Sequence, residues 1–164
     1  MKNNIKSEWI KSDNVDNFNH ITQVYGICFN ELGQILICRE PDSKNWHIPG
    51  GTPEKGESYT ETLERELVEE VDVRVKNIKV LGARKVEYPN NPRELEGEVF
   101  FQLRCICEVS EVLPQTSDPA ENITWARKFV PAEEVTQYVQ WGSEGDQMFA
   151  DAVDLWKDSL LSKK

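Results

Sequence analysis

Residues 50–73, GGTPEKGESYTETLERELVEEVDV, decide how the rest of the chain is interpreted. The stretch begins as a loop rich in turn residues and continues in a helical pattern. Ser58 stands three residues before Glu61, which is the Ser-x-x-Glu capping box typical of a helix start. Apolar residues then recur every four positions and predict one buried stripe along the helix, formed by Tyr59, Leu63, Leu67 and Val71.

The same helix carries an unusual group of carboxylates. At 100° per residue, Glu66, Glu69 and Glu70 fall within an arc of about 100° that borders or overlaps the buried stripe. Carboxylates three and four positions apart repel each other, and desolvation near an apolar face adds to that cost. A divalent cation that prefers oxygen ligands, Mg²⁺ or Mn²⁺, would relieve both penalties. A helix rich in Glu and Arg is also commonly just a solvated face, so these residues alone leave both interpretations open.

The segments around this helix predict mainly strands, with a further helix at the carboxyl end. Residues 21–29 and 34–39 read as a hairpin, and residues 73–81, 99–107 and 123–130 as further strands. The alternation from Val99 to Cys107 places Cys105 and Cys107 on one face, so we interpret this Cys-x-Cys pair as core and not as a metal site. Residues 1–20 are polar and are expected to form an N-terminal arm or a short edge strand. An amphipathic helix is expected at the carboxyl end.

Composition limits the classes of protein that the chain could represent. Its 164 residues and 18.9 kDa predict one domain. The formal charge of −10 argues against sequence-independent binding to nucleic acid, but it does not exclude a small anion delivered with divalent cations. No apolar run approaches the ~20 residues of a membrane span, and the amino terminus lacks the apolar core of a secretory signal. Four cysteines do not indicate a disulfide scaffold. We therefore expect a cytoplasmic protein.

Read from Gly51, the spacing of Glu57, of Arg65-Glu66-Leu67 and of Glu69-Glu70 resembles the signature of the Nudix hydrolases. One defining position differs, because Asp72 stands where the family usually has a glycine. That glycine ends the helix in the left-handed conformation, which Asp and Asn tolerate best after Gly, so we expect Asp72 to adopt it and the carboxylates to stay in place. The resemblance implies an α/β protein with the Nudix fold, a mixed β-sheet sandwiched between α-helices, over residues 21–164.

The resemblance also implies an activity: divalent-metal-dependent hydrolysis of a nucleoside diphosphate linked to another moiety, by attack of water on phosphorus. Mg²⁺ or Mn²⁺ would be the cofactor. Glu66 would be the general base, with a loop carboxylate as the alternative, and Arg65 would orient a carboxylate. Glu98 is a further candidate ligand, although residues 94–98 also fit a solvated acidic turn. The implied metal ligands are the Gly50 carbonyl, Glu57, Glu66, Glu69, Glu70 and Glu98, and the implied catalytic residues are Glu66, Glu70 and Arg65.

The sequence indicates the substrate contacts less clearly than it indicates the carboxylates. Arg39 or Arg84 could grip the distal phosphate, with Lys85 and Arg93 as further cations. Tyr88 could stack on a base, as could Tyr25 or Trp125, although each of these residues also fits a surface or packing role. His20 and His47 are expected to be structural. The expected partner is a small nucleoside diphosphate derivative. A homodimer is left open, with its contact at the N-terminal arm or the C-terminal helix.

A rival interpretation is a catalytically silent Nudix-like domain that binds a nucleotide or acts as a sensor. Such domains typically lose one or more of the signature carboxylates, whereas this chain keeps all of them.

Overall fold

A computed structural model describes residues 4–161 and shows a mixed sheet of seven strands. The order across the sheet is β1-β5-β6-β2-β3-β7, and the short β4 pairs with β2. β2 and β6 run parallel to each other, and the remaining pairs are antiparallel. The strands are β1 (Lys6–Lys11), β2 (Ile21–Phe29), β3 (Gln34–Arg39), β4 (Gly50–Gly51), β5 (Val73–Glu87), β6 (Val99–Val112) and β7 (Ala126–Pro131).

Helices cover both faces of the sheet, as expected for the α/β/α arrangement. They are α1 (Tyr59–Val71), the short α2 (Val135–Tyr138) and α3 (Gly142–Leu161). Successive side chains of a strand point to opposite faces, so β2 contributes Val24 and Cys28 to one core and Ile27 to the other. The first core contains Leu63 of α1. The second contains Phe149 of α3. The helix predicted from residues 58–71 is thus packed against the sheet by its apolar stripe.

Both ends of α1 follow from local chemistry. Ser58 is the N-cap, accepting a hydrogen bond from the Glu61 backbone N–H at 3.1 Å and donating one to the Glu61 carboxylate at 3.0 Å. Asp72 ends the helix in the left-handed conformation, with φ 55° and ψ 47°, which confirms the expectation for the position that lacks the family glycine. Its carboxylate also accepts from the Thr116 backbone N–H and hydroxyl.

The amino-terminal segment is part of the sheet. Lys6–Lys11, expected as an arm or a short edge strand, form β1, which pairs with β5 from Lys6 to Lys11. Trp9 Nε1 donates to Asp151 of α3 at 2.7 Å, and Ser7 donates to Glu144 of α3 at 2.5 Å. β1 is thereby attached to α3 as well as to β5.

Two further expectations concern β6 and β7. Cys105 and Cys107 are buried in the core beneath α1, which confirms the packing interpretation of the Cys-x-Cys pair. The strand expected over residues 123–130 begins only at Ala126, because the preceding residues belong to a loop closed by Asp118, whose backbone N–H donates to Ile123 O. Among the helices described, none is both long and apolar enough to cross a membrane.

Candidate active site

Arg65 organises the carboxylates of the predicted site. Its Nε donates to Glu57 at 2.7 Å, and its Nη1 donates to Glu66 at 3.0 Å and to Glu69 at 3.1 Å. Nη2 donates to the Thr52 carbonyl at 3.1 Å, which ties the guanidinium to the loop before α1. The several carboxylates around it raise the pKa of Arg65. Arg65 therefore holds three of the predicted carboxylates in one place, consistent with the orienting role expected for it.

Glu57 is the most firmly held member of this group. One of its oxygens accepts from Arg65 Nη2 and from the Thr62 hydroxyl, and the other accepts from Arg65 Nε. These bonds, together with one from the Glu54 backbone N–H, lower the pKa of Glu57 to about 2. Both oxygens thus accept from protein donors, three on one oxygen and one on the other.

Glu70 lies in a different environment from its neighbours. Its side chain is 8% exposed, and no ion pair to it occurs within residues 4–161. Burial, with smaller contributions from the charges of Glu66 and Asp118, raises its pKa to about 8, while hydrogen bonds from Cys38 and the Gly50 backbone oppose that rise. Burial also raises the pKa of Glu66. A buried carboxylate without a cation beside a second carboxylate is costly, and a divalent cation would relieve that cost.

The Gly50-Gly51 pair lets backbone and carboxylates approach each other. A Cβ on Gly51 would overlap the Glu66 carboxylate, and a Cβ on Gly50 would overlap Val24 O. Both glycines pair with β2, at Val24 and Tyr25, so the turn lies directly against the sheet. The side-chain groups gathered here are carboxylates, whose oxygens suit Mg²⁺ or Mn²⁺.

A cavity of about 640 Å³ extends from Glu70 and Gly50 towards the start of α3. Its size is typical of a site for a small ligand. Aromatic residues from β1, β2 and two loops line it, together with polar residues of β2, β5, β6 and α3. The aromatic residues are Trp9, Tyr25, Trp125 and Trp141, and the polar ones include Gln23, Arg84, Gln102, Arg104 and Glu144.

The structure brings only part of the predicted substrate set to this cavity. Arg84 lines it, as do Tyr25 and Trp125. Arg39 does not, because its guanidinium donates to the Ser43 carbonyl at 2.8 Å and lies over the Trp46 ring. Tyr88 is outside the lining as well, on the hairpin between β5 and β6.

Glu98 also lies away from the cavity lining. It is exposed and accepts from the Asn90 backbone N–H at 2.9 Å, so the structure shows it closing the hairpin of residues 88–98. This is the solvated acidic turn that the sequence left open as the alternative.

Arg104 is a candidate that the sequence did not single out. It is 4% exposed, its guanidinium carbon lies 4.6 Å from the centre of the Tyr25 ring, and the Trp141 ring is 5.6 Å away. Its Nε has no hydrogen-bond partner among the described residues, and burial lowers its pKa to about 10. A buried cation with an unsatisfied donor in a cavity wall is suited to receive an anionic or carbonyl oxygen.

Asp118 is a second missed candidate. It is buried in the loop between β6 and β7, where it accepts from Trp125 Nε1 at 3.2 Å and from the Ala120 backbone N–H at 2.8 Å. Its charge contributes to the raised pKa values of Glu66 and Glu70. Glu121 of the same loop lines the cavity. Both residues match the loop carboxylate that the sequence named only as a class.

The family model for the NUDIX domain matches residues 19–152. An RNA pyrophosphohydrolase of Pectobacterium carotovorum is 28% identical over 126 residues, covering 68% of this chain and 71% of the relative. A MutT-like protein of Streptomyces ambofaciens is 29% identical over 106 residues, covering 65% of this chain and 63% of the relative. A solved structure of a Bacillus subtilis pyrophosphohydrolase matches with a TM-score of 0.67 at 20% identity, over 96% of this chain and 92% of that one.

This chain belongs to the Nudix family, because the family model covers most of its length. The expected fold and the expected enzyme class, a Nudix hydrolase with relatives named as pyrophosphohydrolases, are both confirmed.

Proposed function

We propose that this protein hydrolyses a nucleoside diphosphate linked to another moiety, with a divalent metal held by the carboxylates of α1 at the end of the cavity where Glu70 lies. The observation that carries the proposal is Glu70: a buried carboxylate with no cationic partner in the described chain, next to Glu66 and at one end of a cavity for a small ligand. An arrangement that only supported the fold would not need a carboxylate there.

Glu66, Glu69 and Glu70 would hold the metal, with the Gly50 carbonyl as a further ligand. Mg²⁺ or Mn²⁺ bound there would neutralise phosphate charge and lower the pKa of a coordinated water. Arg65 keeps Glu66 and Glu69 together by hydrogen bonds of 3.0 and 3.1 Å. It acts through these carboxylates, so we regard it as a positioning residue.

A carboxylate with a raised pKa suits the removal of a proton from the attacking water. Glu66 is our first choice for this base, because burial raises its pKa while Arg65 keeps its side chain in place. Asp118 of the loop between β6 and β7 is the alternative, since its charge contributes to the raised pKa values of Glu66 and Glu70. Glu70 at its raised pKa gives up its proton on binding a cation, which makes it a ligand more readily than a base.

The cavity beyond Glu70 would receive the nucleoside part of the substrate. Arg104 would donate to an oxygen of the substrate, because it lines the cavity and no ion pair to it occurs within residues 4–161. Arg84 lines the same cavity and donates to the Gln102 amide oxygen at 3.3 Å. The rings of Tyr25 and Trp125 offer surfaces for a base.

A triphosphorylated RNA end is a second candidate substrate, because several relatives are named RNA pyrophosphohydrolase. The formal charge of −10 still argues against extensive contacts to an RNA backbone. This second function would involve the same carboxylates and differ only in what enters the cavity.

The test is a substrate panel measured with Mg²⁺ and with chelator. It contains nucleotide sugars, ADP-ribose, dinucleoside polyphosphates, nucleoside triphosphates and a 5′-triphosphorylated RNA. We expect metal-dependent release of phosphate, pyrophosphate or a nucleoside monophosphate from at least one small nucleotide. Release from the RNA alone would favour the second function. Binding of nucleotides without turnover of any substrate would favour the silent sensor domain.

A cytoplasmic location and a homodimer stay predictions. β1 forms one edge of the sheet and is attached to α3, so both segments named for a dimer contact lie on the same side of the molecule.

A further inference from the structure

Three side chains with different ligand chemistry meet beside the cavity: Cys38, His47 and Glu70. One ligand atom from each lies within 4.8 Å of the others. Cys38 Sγ is 3.7 Å from His47 Nδ1 and 3.5 Å from Glu70 Oε1. Sulfur, imidazole nitrogen and carboxylate oxygen together are the ligands of zinc sites, whereas Mg²⁺ and Mn²⁺ prefer oxygen.

Both separations from the sulfur fit a tetrahedral ion, and the His47 and Glu70 ligand atoms lie within 4.8 Å of each other. With Zn–S at about 2.3 Å and Zn–N or Zn–O at about 2.0–2.2 Å, tetrahedral angles place the sulfur about 3.5–3.7 Å from each other donor. The separations of 3.7 and 3.5 Å lie within that range. Three protein ligands leave a fourth position for water or a substrate oxygen, as in open zinc sites.

The backbone holds two of the ligands in register. Cys38 and His47 form a β-bridge in which each backbone N–H donates to the other's carbonyl, at 2.8 and 2.9 Å. Glu70 reaches the pair from α1, whose carboxyl end is fixed by Asp72. Little rearrangement is therefore needed before an ion binds.

An ion can reach this group from the cavity, because His47 and Glu70 both line it. His47 Nδ1 lies 2.9 Å from the Ile48 carbonyl, so a metal on that nitrogen would replace one hydrogen bond. The Cys38 thiol, which donates to Glu70, would release its proton to solvent when an ion binds.

We infer that Cys38, His47 and Glu70 form a second metal site, specific for a thiophilic divalent ion such as Zn²⁺ or Cd²⁺. Glu70 is also a ligand of the proposed Mg²⁺ site. An ion bound by Cys38, His47 and Glu70 therefore removes a ligand from the Mg²⁺ site and inhibits hydrolysis. The binding part stands on the geometry alone, and the inhibitory part rests on the proposed function.

Cadmium titration of the metal-stripped protein tests binding, because a cadmium–thiolate bond gives an ultraviolet charge-transfer band. We expect the wild-type chain to develop this band with saturable binding. Cys38→Ala should lose the band, whereas Cys105→Ala, which removes a buried thiol elsewhere, should keep it. No band in the wild type, or an undiminished band in Cys38→Ala, would overturn the site.

His47→Gln is a second variant that keeps the thiol, and it covers the case in which circular dichroism shows Cys38→Ala to be unfolded. Loss of one ligand should weaken cadmium binding at least about tenfold. Unchanged affinity in a folded His47→Gln protein would equally overturn the assignment.

Zinc inhibition is then measured in the presence of Mg²⁺, with each protein compared with its own zinc-free rate. Cys38→Ala should require at least about tenfold more zinc than the wild type for the same loss of rate. Equal sensitivity would contradict the shared ligand. A protein that binds cadmium through Cys38 but hydrolyses no substrate would refute the proposed function and leave the metal site standing.

Discussion

At the scale of single residues, Glu70 differs from the other signature carboxylates in having no guanidinium to compensate it. Arg65 binds Glu57, Glu66 and Glu69 but not Glu70, which lies deeper and contacts Cys38. Because the charged form is desolvated, Glu70 costs folding free energy whenever it ionises without a cation.

Glu70→Gln should therefore change how the stability of the metal-free protein depends on pH. The folded-state pKa of about 8 lies above the ordinary 4.5, so the unfolded chain gives up this proton first. The wild type should lose stability relative to the variant as pH rises from about 4.5 to about 8, with no further divergence above that range. Urea unfolding of both proteins in chelator measures the difference. A difference that stays constant with pH would contradict the raised pKa.

Arg104→Met should separate binding from stability. Removing a buried cation with an unsatisfied Nε should leave the free energy of unfolding unchanged or raise it. Losing a charged hydrogen bond to substrate costs about 1.5–3 kcal/mol, or about 10–150-fold in kcat/KM.

Steady-state kinetics and thermal unfolding of Arg104→Met provide the two readings. Arg93→Met is the matched control, because Arg93 is exposed on the hairpin of residues 88–98. An Arg104→Met enzyme with wild-type kcat/KM would remove Arg104 from the substrate site.

At the scale of elements, the carboxyl end of α1 is held by groups that are distant in sequence. The Asp72 carboxylate accepts from the Thr116 N–H at 2.8 Å and from its hydroxyl at 2.6 Å. Arg127 Nη1 of β7 donates to the Val71 carbonyl at 2.8 Å. These bonds satisfy carbonyls and a loop N–H that would otherwise lack partners at a helix end.

Asp72→Ala should lower the free energy of unfolding by about 1–3 kcal/mol. Alanine tolerates the left-handed conformation less well than Asp, and the Thr116 N–H loses its acceptor. Asp72→Asn keeps one acceptor oxygen, so its free energy of unfolding should fall by less than that of Asp72→Ala. Equilibrium urea unfolding of both variants measures the effect, and equal stability of Asp72→Ala and the wild type would show that the cap contributes nothing.

The elements that could be predicted are those whose signals are local. Ser58 and Glu61 mark the start of α1, and Asp72 marks its end, so the carboxylate arc could be placed before any tertiary contact was known. Arg104 could not be found in this way. It alternates with core residues on β6, which normally indicates a solvent-facing side chain, but Trp141 before α3 and the Tyr25 ring cover it.

Asp118 was missed for a similar reason. It lies in an irregular loop, where no periodicity shows which carboxylate turns towards α1. The acidic residues before β6 favour Glu98 as a ligand in the sequence, yet its side chain accepts from a backbone N–H of its own hairpin. Such choices depend on tertiary packing, which short-range patterns do not contain.

At the scale of the whole molecule, the cavity is built from segments far apart in the chain. Trp9 of β1 forms part of its wall, although β1 precedes the residues matched by the family model. Trp141 and Met148 form another part. The signature helix places Glu70 at one end, while segments outside the signature shape the rest of the cavity. This division explains why the signature identified the chemistry but not the nucleotide.

We propose that metal-dependent hydrolysis requires the carboxylates of α1, and Glu70 first among them. Glu70→Gln is compared with the matched control Glu64→Gln. The control makes the same chemical change at an exposed position of the same helix. The most direct test is the Mg²⁺-dependent turnover of a substrate found in the panel, measured for both variants with circular dichroism as the check on folding. We predict that Glu70→Gln loses turnover while folded and that Glu64→Gln retains it. Full activity of a folded Glu70→Gln protein would contradict the account.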